Sequence, residues 1–160
     1  MEVAWMDAAR LLAFVSLVAF LFARAEVHIE GPHGWAGKLP TWRVEDHQLL
    51  NIFFGGKPLT GYHLWMFLFM AGIFHLPLAF FDAFSIKLEA RVLGSLMLFW
   101  LIEDFLWFVT NPAYGLKKFK DEHISWHNHW AGPVPVDYVV GAVLGTTLLV
   151  YSFAHAKVGV

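Results

Sequence analysis

Four long apolar stretches dominate this chain, at about residues 4–25, 59–81, 88–110 and 134–155. Each reaches the roughly 20 residues that carry a helix across a ~30 Å hydrocarbon core. Backbone in lipid satisfies its polar groups only inside helices or closed barrels. The stretches do not alternate apolar with polar residues, so they read as helices. The expected fold is all-α: an integral membrane bundle of four transmembrane helices in one domain, with polar connections at 26–58 and 111–133.

Composition agrees. Hydrophobic residues make up 58% and charged residues 15%, against roughly 45–50% and 25% in ordinary soluble domains. A soluble chain of this size leaves too much surface wet to hide that apolar load. The absence of cysteine excludes disulfide scaffolds and thiolate chemistry. A net charge of −2 argues against a nucleic-acid surface.

Residues 11–22, followed by Ala23-Arg24-Ala25, have the outline of a cleavable signal. The preceding segment sets Glu2 and Asp7 against Arg10 rather than being basic, so a retained helix is the reading. Asn111-Pro112 should end the third helix, because the residue before proline avoids the α region. Pro58 and Thr60 mark the start of the second, and Pro133 and Pro135 that of the fourth. Gly141 and Gly145 form a GxxxG pair, which suggests close helix packing or a homo-oligomer through that face.

Seven Lys and Arg residues lie in or beside the two long connections: Arg24, Lys38, Arg43, Lys57, Lys117, Lys118 and Lys120. Four lie on the other side: Arg10, Lys87, Arg91 and Lys157. The bias predicts cytoplasmic connections and termini outside. Trp35-Ala36-Gly37-x-x-Pro40 recurs as Trp130-Ala131-Gly132-x-x-Pro135, which suggests two duplicated helical hairpins. Trp35, Trp42, Trp126 and Trp130 read individually as interfacial anchors.

Nine histidines are many for such a chain, and all but His75 and His155 fall on the side of the long connections. Glu103 and Asp104 sit inside the third apolar stretch on that same side. Intramembrane acids are costly and usually face a partner in the bundle interior. They are the expected catalytic pair, although neighbours on a helix point ~100° apart, so only one need face inward. His123 and His127 have the i,i+4 spacing of helical metal pairs if that run is helical. Imidazole with carboxylate suits iron or zinc. The expected metal ligands are His28, His33, His63, Glu103, His123, His127 and His129.

In cluster type and topology this layout is similar to the histidine-box membrane enzymes, the fatty-acid desaturases and hydroxylases. The resemblance implies metal held at the membrane face, but the HxxHH-type boxes that those enzymes repeat are absent here. The expected function is a divalent-metal membrane enzyme that oxidises or hydrolyses a membrane lipid or other apolar small molecule. Two alternatives stand beside it. One is a b-type haem or quinone electron carrier with His75 and His155 as axial ligands. The other is a metal-free acid–base or hydrophobic-ligand bundle using Glu103 or Asp104.

Overall fold

The computed structural model describes residues 2–45, 47, 50, 57–81 and 84–154. Four long helices form: α1 (Glu2–Glu30), α2 (Gly61–Phe81), α3 (Ile86–Thr110) and α4 (Val136–Phe153). All four are long and apolar enough to cross a membrane. Their outer faces suit that solvent: Phe14, Leu17, Trp65, Phe69, Val143 and Val150 are largely exposed.

α1 is longer than its apolar stretch. Its 29 residues span about 43 Å at 1.5 Å per residue, well beyond the hydrocarbon core. It runs through Glu26 and His28, which sequence reading assigned to the connection, and stops where Gly31 adopts φ +65°. That left-handed step is the usual glycine exit from a helix. α3 begins at a cap in which Ser85 Oγ accepts the Leu88 N–H at 3.1 Å. It ends at Asn111, before Pro112. The Asn111 amide donates to Gly31 O at 2.8 Å and Arg24 donates to Thr110 O at 2.9 Å, so the ends of α1 and α3 are tied together.

α3 is the central helix. It packs extensively on α1 and α4 and less on α2. At the α3–α4 crossing the backbones nearly touch: a Cβ on Gly94 would lie 2.8 Å from Gly145 O. The Gly145 end of the GxxxG face is thus occupied by α3 of the same chain. One buried cluster, Val15, Ala19, Met70 and Phe99, holds α1, α2 and α3 at one depth. A second, around Trp107, Phe108 and Ile124, seats the second connection against α1 and α3.

A short antiparallel ladder leads into each later helix of a pair. β1 (Arg43–Val44) pairs with β2 (Leu59–Thr60) in the register Arg43↔Thr60, just before α2. β3 (Trp130–Ala131) pairs with β4 (Val134–Pro135) in the register Trp130↔Pro135, just before α4. The two WAGxxP segments do not share a conformation. Trp35 and Ala36 are left-handed, with φ +43° and +52°, whereas Trp130 and Ala131 form β3.

Candidate functional site

Where α1 and α3 end and α2 and α4 begin, a cavity of about 270 Å³ opens among all four helices. α1 contributes Glu26 and Glu30, one turn apart. α2 contributes His63 and Phe67. α3 contributes Met97, Trp100, Leu101, Glu103, Asp104 and Trp107. α4 contributes Asp137, Tyr138 and Gly141, and the connections add Trp35, Lys57 and Trp126. Trp35 and Trp126, expected as interfacial anchors, are therefore wall residues, while Trp42 remains half exposed.

Both expected intramembrane acids line the cavity, on different walls. The ~100° step between neighbours, expected to turn one of them away, instead splits them between two partner sets.

The first wall is charge-balanced. His127 is held by the second connection, with Trp130 Nε1 donating to its carbonyl at 2.9 Å. Its ring is enclosed. Nε2 lies 3.2 Å from Asp104 Oδ2, and Nδ1 lies 3.1 Å from Asp137 Oδ2. A ring with a carboxylate at each nitrogen donates from both, which is the imidazolium form. Burial alone would lower the His127 pKa. The carboxylates of Asp104 and Asp137 outweigh that and hold it above the ordinary histidine value. Asp137 also takes the Lys57 ammonium at 2.6 Å, and Asp104 accepts the Tyr138 hydroxyl. Two carboxylates thus meet two cations. Among the described residues no ion pair joins Glu103 or Asp104 to Arg24 or Lys117, and Arg24 donates to Thr110 O.

The second wall is acid-rich. Glu26 accepts the Tyr62 hydroxyl at 2.8 Å. Glu30 accepts the Ala36 N–H, which the left-handed backbone at Trp35 and Ala36 brings to it. His63 uses Nδ1 on Thr60 Oγ1 at 2.7 Å and stacks on Trp35 at 3.9 Å between ring centroids. Its Nε2 is 3.7 Å from Glu30. Glu103 brings its carboxyl to Glu26. It is 3% exposed, and its Oε1 has no hydrogen-bond partner. Among the described residues, the charged neighbours of Glu26 and Glu103 are all other acids.

The floor beside Trp107 depends on one glycine. Gly34 has φ +55°, and a Cβ there would lie 2.6 Å from the Trp126 ring and 3.0 Å from that of Trp107.

The expected seven-residue metal set does not gather. Only His63 and Glu103 of that set line the cavity, and His127 lies behind Asp104. His28, His33, His123 and His129 are exposed. His123 ends a 3-10 turn, Asp121–His123, and His127 follows a turn at 125–126, so their i,i+4 spacing is not on an α-helix. Among the described residues no group of three or more His, Asp or Glu is arranged to hold a metal ion. Of the expected haem pair, His75 sits in α2 with Nδ1 2.6 Å from Ala71 O and Nε2 3.1 Å from Glu89. His155 lies outside the described residues.

Sequence reasoning did not single out Lys57, Tyr62, Asp137 or Tyr138. Glu26-x-x-x-Glu30 before Gly31-Pro32 carried the signal of a last helical turn with two acids on one face. The chain matches no protein-family profile, no curated protein and no solved structure.

Proposed function

We propose that this multi-pass membrane protein is an enzyme that exchanges protons with an apolar substrate held in the four-helix cavity, with its own carboxyl groups as acid and base. The observation that carries this reading is Glu103: buried, cavity-lining and with an unpartnered carboxyl oxygen. A carboxyl group can give a proton to a substrate bound within hydrogen-bond reach of it. Glu26, beside it on the same wall, is the group placed to receive a proton in return. Asp104 is committed to His127 and Tyr138 and acts as a positioning group. Phe67, Met97, Trp100 and Leu101 supply the apolar side that suits a lipid-like body. The metal-dependent reading lacks a ligand cluster among the described residues, and the acid–base reading needs none.

The Lys and Arg excess beside the long connections supports a cytoplasmic cavity with both termini outside. The Tyr62–Glu26 and Tyr138–Asp104 bonds, one in each helix pair, support the duplicated-hairpin reading, whereas the WAGxxP backbones do not.

The test is isotope uptake. Purified protein is incubated in heavy water with the apolar lipid extract of the membranes that host it, and the lipids are weighed by mass spectrometry. A lipid that gains deuterium with wild type, and at least about 100-fold more slowly with Glu103→Gln, is the expected result. No lipid labelled above the protein-free control overturns the reading.

A further inference from the structure

Buried polar atoms are almost always hydrogen bonded. Two atoms beside this cavity are not: Glu103 Oε1 and Trp107 Nε1. The two residues are 3% and 4% exposed, and both line the cavity. They sit one turn apart on α3 and so share a helix face, at roughly 5–6 Å between Cβ atoms. An indole N–H can only donate, and Glu103 Oε1 accepts when the proton of that carboxyl lies on its other oxygen, toward Glu26.

A single ligand group that serves both atoms must therefore accept one hydrogen bond and donate one. A hydroxyl does this. A ketone accepts from Trp107 but leaves Glu103 Oε1 unpaired. An ammonium donates to Glu103 but leaves the indole unpaired. A carboxylate or phosphate accepts from Trp107 but has no proton to donate, so it too leaves Glu103 Oε1 unpaired. The cavity also limits the rest of the ligand. Its volume of about 270 Å³ falls just under the ~300–1,000 Å³ of sites that enclose a whole drug-sized molecule. It encloses a head and the first carbons, and a longer tail must continue into the bilayer.

We infer that the cavity binds an apolar alcohol, whose hydroxyl accepts from Trp107 Nε1 and donates to Glu103 Oε1 while its chain lies among Phe67, Met97, Trp100 and Leu101. This rests on the proposed function only in taking the cavity as the substrate site. It narrows the substrate to membrane-soluble alcohols, such as long-chain or polycyclic ones.

The test uses the full chain in nanodiscs of neutral phosphatidylcholine. A dodecanol carrying a diazirine on its chain is photolysed, and the labelled residues are mapped by mass spectrometry. Dodecane, dodecylamine and the methyl ketone of the same length then compete with plain dodecanol at equal mole fraction in the bilayer. Labelling should fall on the cavity, and dodecanol should compete about tenfold better than dodecane. Trp107→Phe, which keeps the ring, and Glu103→Leu should each erase most of that advantage while apolar competition stays. Equal competition by dodecane, or stronger competition by dodecylamine, overturns the assignment with wild-type protein alone. An alcohol preference without deuterium uptake supports this site and overturns the enzymatic reading. Deuterium uptake without an alcohol preference does the reverse.

Discussion

The cavity has two polar walls built from the same residue types to opposite effect. On one, Asp104 and Asp137 meet His127 and Lys57, and each carboxylate has a cation at bonding distance. On the other, the charged neighbours of Glu26 and Glu103 among the described residues are acids, with a tyrosine hydroxyl on Glu26. Burial of a charge is tolerable when it is paired and hydrogen bonded, and expensive when it is not. The first wall is therefore a closed network that fixes geometry. The second keeps an unpartnered oxygen on a residue that lines the cavity. Two carboxyls adjacent in sequence, Glu103 and Asp104, end with different tasks because neighbouring helix positions point to different walls.

Breaking the closed wall should have the largest effect. His127→Ala leaves Asp104 without a cation and should lower folding stability by about 3–5 kcal/mol, the cost of stripping one partner from a buried pair. Thermal unfolding in nanodiscs reads this, and a shift no larger than for a surface variant would break the comparison. Titration of the same network should come next. The His127 pKa is raised in the folded protein, so its contribution is full below the unfolded value of about 6.5. It is lost as pH rises through the folded value, so the melting point should fall on the alkaline side. The fall should vanish in His127→Ala, and a fall that persists in that variant assigns the titration elsewhere.

The open wall should respond the other way. Glu103→Gln removes an acid with an unsatisfied oxygen, so its stability change should stay within about 1 kcal/mol while proton exchange collapses. A loss comparable to that of His127→Ala would make Glu103 a structural group. The smallest effects belong to the histidines outside both walls. His28→Ala, His33→Ala and His129→Ala should each change stability by less than about 0.5 kcal/mol, as exposed sites do. Elemental analysis of these variants beside wild type checks the abandoned ligand set directly. Stoichiometric metal lost on their removal would restore it.

Much of the architecture was legible before the coordinates. The length and apolarity of four stretches define four helices, and Asn111-Pro112 ends α3 where proline chemistry places the stop. The crowding of polar residues at one end of the bundle was also legible, as were His63, Glu103, Asp104 and His127 as members of it. The pairing was not. Which acid meets which cation is a tertiary fact, and Lys57 and Asp137 are 80 residues apart in sequence but 2.6 Å apart in space. The expected metal set does not gather among the described residues for a local reason. Histidine spacing predicts a shared face only on a regular helix, and the stretch from His123 to His129 is the end of a 3-10 turn, a further turn at 125–126 and irregular chain. The place of Glu30 on α1 was hidden because a helix in a membrane protein need not stop where its apolar run does.

Gly34 gives the site a control point outside its own lining. The missing side chain at that position lets the loop after α1 press against the edges of Trp126 and Trp107. Any larger residue there must push on the ring of an indole that lines the cavity. The shape of the cavity can thus be retuned by substitution at a position outside its lining, and the glycine acts as a set screw on its depth.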